Sequence, residues 1–136
     1  MEIVRRVYEA FNRGDLDTAV ADIAPDAVYL STGTIPGFAG VYQGGEGLRR
    51  FLSWLWEEFD EPHIEVHEII EAGNQVLVSL TNRGRGKQSG ADVSWHLWQV
   101  GTVRDGKIVR GQGFTSRDEA LEAAGLSEQD AHAEPS

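Results

Sequence analysis

Residues 94–100 read SWHLWQV and alternate with the period of two that is typical of a β-strand. The bulky residues fall on two opposite faces, with Val93, Trp95 and Leu97 on one and His96, Trp98 and Val100 on the other. A strand that shows one face to water would alternate apolar with polar residues. The stretch therefore predicts a strand whose two faces are both covered.

The same period of two extends from Pro62 to residue 115. It predicts four strands separated by short turns, namely HIEVHEII (63–70), QVLVSLTNRGRG (75–86), DVSWHLWQVGTV (92–103) and KIVRGQGFT (107–115). The dipeptide Asp-Gly inside RDGK is typical of a tight hairpin turn. This part of the chain is therefore predicted to be an antiparallel meander.

Helices precede the meander. An apolar stripe at helical spacing predicts a helix over residues 2–13, and Gly14 and Asp15 suit its end and the start of a second helix through Ile23. A short strand follows at 24–31, and then a third helix at 46–59. After the meander, the S-x-x-E spacing from Ser116 predicts a capped helix that stops at Gly125. This order predicts an α+β fold in which helices cover one face of a curved antiparallel sheet.

Length and composition support one domain, predicted over residues 1–125 and followed by a mobile tail at 126–136. The 136 residues include no cysteine, which excludes disulfides and thiolate chemistry and fits a cytoplasmic location. A formal net charge of −10 argues against nucleic acid as a partner. No run of residues is apolar enough to predict a membrane span or a signal peptide.

Four stretches resemble the SnoaL-like (polyketide cyclase-like) branch of the ketosteroid isomerase-like, or nuclear transport factor 2-like, superfamily. They read NRGDLDTAVADIAPDAVYL, YQGGEGLRRFLSWLWEEF, VRDGKIVRGQGF and SRDEALEAAGL, and the likeness spans residues 2 to about 126. It implies a cone-shaped α+β barrel with an apolar pocket between the helices and the sheet. It also implies a homodimer across the convex face of the sheet, which would cover the second face of residues 93–100.

This sequence lacks the catalytic acidic residues that three activities of the superfamily require at the matching positions. Ser31 and Trp98 stand where ketosteroid isomerases carry acidic groups, and Asn82 stands where limonene epoxide hydrolases carry an aspartate. No carboxylate occurs near Gln112, where polyketide cyclases carry their base. The fold hosts many unrelated activities, so the reaction must be argued from the site itself.

His96 is the predicted catalytic residue. The alignment with the family points Trp98 into the pocket, and a period of two then places His96 there as well. An imidazole with a pKa near ~6.5 can act as a general acid or base. The alternative is a histidine that hydrogen-bonds to backbone or tyrosine and only shapes the cavity.

Further residues are predicted to contact the ligand: Tyr8, Tyr29, Asn82, Trp98 and Gln112. Tyrosine hydroxyls and the amide of Asn82 can donate to a carbonyl or to a developing oxyanion. The alternative is that each group satisfies a buried neighbour. The direction of Gln112 depends on the register of the last strand. Trp98 is predicted to form the pocket wall, and Trp95 the core or a dimer interface.

Two groups of basic residues are explained more simply without a binding site. The cations of NRGRGK, from Arg83 to Lys87, suit an anionic group but also suit a solvated strand end that discourages pairing with other chains. His63 and His67 lie on a predicted strand and lack further ligands, so no metal site is predicted. No cofactor is expected.

Residues 31–45, STGTIPGFAGVYQGG, are predicted to be a glycine-rich loop that closes over the mouth of the pocket, with Gly33, Gly37 and Gly40 as hinges. Three functions remain open. The first is a cofactor-independent isomerase, cyclase or hydrolase that uses His96 on a small apolar substrate. The others are a non-catalytic protein that binds a small hydrophobic ligand and a dimeric interaction module.

Overall fold

The computed structural model describes residues 2–31 and 40–125. Within these two ranges, the structure contains four helices and six strands, in the order α1 (Glu2–Asn12), α2 (Leu16–Ala19), β1 (Ile23–Ser31), β2 (Gly40–Gln43), α3 (Gly44–Glu58), β3 (Phe59–Ala72), β4 (Gln75–Gly86), β5 (Asp92–Arg104), β6 (Lys107–Phe114) and α4 (Arg117–Ala123). The predicted α+β class is confirmed. Gly33, Gly37 and the tail at 126–136 lie outside the described residues, so the lid and tail stay predictions.

All six strands form one sheet in the order β2-β1-β6-β5-β4-β3. Every neighbouring pair is antiparallel except β1 and β6, which run parallel, with Tyr29 opposite Gly111. β6, the last strand of the meander, thus lies between β1 and β5. Asp105 and Gly106 both have positive φ in the β5–β6 turn, the geometry for which Asp-Gly is selected.

The local signals for helix ends are confirmed. Gly14 has a φ of 77° after α1, the Asp15 carboxylate accepts from the Thr18 N–H at 3.2 Å, and the Ser116 hydroxyl accepts from the Glu119 N–H at 3.4 Å. The prediction that the second helix reaches Ile23 is wrong. Helix α2 ends at Ala19 and Ile23 begins β1, in which Pro25 favours extended backbone at Ala24.

The segment predicted as a loop over 31–45 also differs from the structure. Residues Gly40–Gln43 form β2, which pairs with β1, and α3 begins at Gly44. Gly44 has a φ of 68°, and a Cβ there would lie 2.9 Å from the Pro25 carbonyl oxygen, so only glycine fits this helix start. The glycine content of this part of the segment thus reflects a tight entry into a helix.

The concave face of the sheet carries the larger core. Helices α1 and α3 pack on it, and the buried residues of this cluster include Phe11, Phe51, Leu55, Val78, Leu80 and Leu97. The convex face carries a smaller cluster in which α4 packs against β3, β4 and β5 through Ile70, Leu77, Val100, Ala120, Leu121 and Ala124. The predicted homodimer was expected to cover the convex face, and helix α4 covers a part of it instead.

The outer edge of β3 is paired by a side chain. The amide of Asn12, at the end of α1, donates to the Ile64 carbonyl at 2.9 Å and accepts from the Ile64 N–H at 2.8 Å. An exposed strand edge is a template for pairing with other chains. Asn12 occupies this part of the edge with the same two hydrogen bonds that another strand would make.

Candidate functional site

A cavity lies between the concave face of the sheet and helices α1 and α3, with a volume of about 100 Å³. On this scale one water needs roughly 10–15 Å³, so the cavity has room for roughly seven to ten non-hydrogen atoms. Most of its lining is apolar and includes Val4, Val7, Ile23, Leu48, Phe51, Leu52, Leu55, Ile64, Val76, Val78, Leu80, Val103 and Ile108. The space suits one substituted ring.

Tyr8 supplies a hydroxyl to this cavity from α1. Burial, and to a smaller extent the neighbouring Tyr29, raise the pKa of Tyr8 well above its ordinary value. No hydrogen bond joins this hydroxyl to another of the described residues. The Tyr8 hydroxyl is therefore neutral and ready to donate to an acceptor in the cavity.

Tyr29 and Gln99 form a second polar group of the lining. The Tyr29 hydroxyl donates to Gln99 Oε1 at 3.1 Å, which orients the Gln99 amide. Within the described part of the chain, Gln99 Nε2 makes no hydrogen bond and remains a donor. Asn82, which is 6% exposed, adds a second amide to the lining from β4.

The described lining contains no carboxylate and no imidazole. Its uncharged polar groups are the hydroxyls of Tyr8 and Tyr29 and the amides of Asn82 and Gln99, and its one charged residue is Arg110, which is exposed. Such groups can bind and polarise a carbonyl oxygen, but none of them is a strong base.

The prediction that His96 and Trp98 face the pocket is wrong. In the register of β4 and β5, Thr81 lies opposite His96 and Ser79 opposite Trp98, whereas Asn82 lies opposite Trp95. Side chains directly opposite one another share a face. His96 and Trp98 therefore lie on the convex face, and His96 is exposed.

Most of the remaining predicted site residues line the cavity or pack in the concave core, and one lies on the convex face. Tyr8, Tyr29 and Asn82 line the cavity as expected, and their contact with a ligand stays a prediction. The direction of Gln112 was left open, and the structure places it opposite Val100 on the convex face, so its predicted contact with a ligand in the cavity is wrong. Trp95 packs with Phe59 at a ring distance of 5.7 Å against the concave core, one of its two predicted places.

Gln99 and the exposed Arg110 are polar residues of the lining that were not predicted from the sequence. Gln99 shares a face with Trp95 and Leu97, which turn out to be the inward residues of β5. A correct choice of the inward face would have identified it, because residues two apart on a strand share a face.

On the convex face, His96 belongs to a small polar cluster. Its Nε2 lies 2.8 Å from Ser79 Oγ, and its ring stacks on that of His67 at 5.3 Å between centroids. The ring of Trp98 also contacts His96, with 4.4 Å between the ring centroids. Within the described ranges, no group of three or more His, Asp or Glu side chains could hold a metal ion.

Acidification is expected to destabilise the fold through His96. Partial desolvation, and then the neighbouring His67, lower the pKa of His96 below its ordinary value. The folded protein thus binds fewer protons at this site than the unfolded chain, and its stabilising contribution is lost as the pH falls below ~6.5. The free energy of unfolding, measured with urea at pH 7.5 and at pH 5, should fall less on acidification for His96→Gln than for the wild type.

Titration of His96 by NMR gives an independent check of this pH effect. The pKa should rise only in part in His67→Gln, because desolvation is the larger cause. A wild-type His96 pKa at or above its ordinary value would contradict the expectation.

Solved structures place this architecture in the ketosteroid isomerase-like class. A protein with that fold from Catenulispora acidiphila, solved with trimethylamine, is 18% identical over 98% of each chain, with a TM-score of 0.75. A nuclear transport factor 2-like protein from Burkholderia thailandensis is 27% identical over 92% of this chain and 95% of its own, with a TM-score of 0.75.

IdmH from Streptomyces antibioticus, provisionally assigned as a polyketide cyclase, is 26% identical over 90% of this chain and 95% of its own, with a TM-score of 0.73. The model of the SnoaL-like domain matches residues 4–111. The chain belongs to the SnoaL-like family. No curated protein matches the sequence.

Proposed function

We propose that the protein binds a small, uncharged, apolar molecule with one hydrogen-bond acceptor in the cavity between α1, α3 and the sheet. The observation that carries this proposal is the Tyr8 hydroxyl, which makes no hydrogen bond to another described residue, in a cavity whose lining is mostly apolar. Tyr8 is partly buried, and a ligand oxygen that accepts from its hydroxyl would give this donor a partner inside the cavity. Gln99 Nε2 and Asn82 offer further hydrogen bonds at the same cavity.

The absence of a base in the described lining favours binding over proton transfer. The same donors can stabilise charge on a carbonyl oxygen, which is the part of an isomerase or cyclase site that this lining supplies. IdmH supports a ligand of the ketone class, because cyclases of polyketides act on carbonyl compounds. Recovery of the bound molecule unchanged would distinguish binding from turnover.

Acetophenone and isopropylbenzene test the proposal, because they have nearly the same shape and differ in the carbonyl oxygen. Calorimetric titration should give a dissociation constant for acetophenone at least tenfold below that of isopropylbenzene. Tyr8→Phe, which removes one hydroxyl, should weaken acetophenone binding about fivefold to tenfold, as expected for one hydrogen bond of roughly 1–1.5 kcal/mol.

The control for this test is His96→Ala, which alters the other face of the sheet. It should leave the affinity for acetophenone within twofold of the wild type. Equal affinities for the two compounds, or an unchanged affinity in Tyr8→Phe, would contradict the proposal. A loss of binding in His96→Ala would place the ligand on the convex face instead.

We further propose that two copies associate through the convex face, where His67 and His96 are exposed beside the half-buried Trp98. Helix α4 covers only one part of this face, and sedimentation velocity would measure the association. The cytoplasmic location also stays a proposal. No helix in the described ranges combines the length and the apolar character that crossing a membrane requires.

A further inference from the structure

Two glycines lie side by side on the concave face of the sheet, below the cavity. Gly101 of β5 is opposite Gly111 of β6, and both residues line the cavity. Glycine weakens a strand, because it orders a flexible backbone and brings no side chain to the packing. Each of the two therefore requires a physical reason.

The reason for Gly111 is the ring of Tyr29. A Cβ at residue 111 would lie 2.9 Å from Tyr29 Cδ2, closer than real side chains approach one another. The ring covers the bare peptide of Gly111 and stacks on Phe51 of α3 at 6.0 Å between centroids, with the two planes 26° apart. One flat ring thus fills the layer between this part of the sheet and α3.

Gly101 has no such occupant among the described residues. A Cβ there would have only ordinary contacts, with Val76 Cγ1 at 3.5 Å and the Arg110 carbonyl oxygen at 3.7 Å. Its φ is also not positive, so the backbone does not require glycine. What lies above Gly101 is the cavity.

We propose that Gly101 determines which ligands the cavity accepts, because its bare peptide is the floor of a slot for one planar ring. The ligand ring lies over Gly101 as the ring of Tyr29 lies over Gly111, in the same layer between sheet and helices. This inference rests on the proposed function, and it narrows the ligand to flat cyclic compounds. Puckered rings are thicker and do not fit this layer.

The polar residues beside the slot restrict the chemical class of the ligand further. Tyr8 and Gln99 present donors to the cavity, so the ring carries an oxygen that accepts hydrogen bonds. Aromatic ketones, phenols and quinones meet both conditions.

Acetophenone and cyclohexyl methyl ketone test the shape requirement, because they carry the same carbonyl on a planar and on a puckered ring. Acetophenone should bind the wild type at least tenfold more tightly. Gly101→Ala, which raises the floor by one methyl group, should weaken acetophenone binding at least tenfold while the melting temperature stays equal or rises. Ser94→Thr adds a methyl group to the exposed side of the same strand and should change neither quantity.

Each other outcome has a definite meaning. A lower melting temperature of Gly101→Ala would show that the glycine serves the bend of the sheet, and unchanged acetophenone affinity would show that the ring lies elsewhere. Equal binding of the two ketones would also overturn the slot, although the proposed function would survive if Tyr8→Phe still weakened binding. If the wild type binds neither ketone, the proposed function fails and the slot fails with it.

Discussion

Phe11→Ala is expected to lower the free energy of unfolding by about 3–5 kcal/mol, a large part of the stability of a domain of this size. The side chain is 1% exposed and lies in the core between α1 and the sheet, with its ring 5.9 Å from that of Trp56. Its backbone carbonyl accepts a hydrogen bond from Trp56 Nε1 at 3.1 Å. The cavity left by the ring would therefore loosen the contact between α1 and α3.

Urea unfolding followed by circular dichroism measures this change through the midpoint and the slope of the transition. Arg5→Ala, an exposed position on the same helix, is the matched control and should stay within about 0.5 kcal/mol of the wild type. A loss below about 1.5 kcal/mol for Phe11→Ala would mean that α1 contributes little to the core.

Asn12→Leu is expected to cost about 2–3 kcal/mol, because it removes both hydrogen bonds to Ile64 and leaves a partly buried N–H and C=O without partners. Exchange of the Ile64 amide proton, followed by NMR, should become faster than in the wild type. The freed edge of β3 should also promote association at high protein concentration, which light scattering would detect.

The control for Asn12→Leu is Gln88→Leu, which places the same side chain at an exposed turn between β4 and β5. It should leave both stability and the exchange of Ile64 unchanged. If Asn12→Leu and Gln88→Leu associated to a similar extent, the cause would be the added apolar side chain and not the freed edge of β3. Slow exchange at Ile64 in Asn12→Leu would show that another group protects this edge.

Much of the fold was predictable because its signals are local. The period of two predicted β3 to β6, and the capping residues Asp15 and Ser116 predicted where helices begin. The parallel pairing of β1 with β6 has no local signal, since it depends on which strands meet in space. The two bonds from Asn12 to Ile64 were missed for the same reason, because they join distant parts of the chain.

The site was predicted only in part, and the error has one source. Residues 93–100 carry bulky side chains on both faces, so their alternation shows that a strand is present but not which face is inward. The alignment with the family placed Trp98 inward, and His96 followed. The structure shows that Trp95, Leu97 and Gln99 occupy the inward face. Tyr8, Tyr29 and Asn82 did not depend on that choice and line the cavity.

The position of β6 has a consequence for how the chain folds during synthesis. β1 is made early, yet its neighbour on one side is the last strand of the sheet, as the pairing of Tyr29 with Gly111 shows. Pairings between distant segments form slowly, because a long stretch of chain must be ordered before they are made. β1 must therefore wait until the chain as far as β6 has left the ribosome, and during that interval the apolar side chains of β1 are accessible to chaperones.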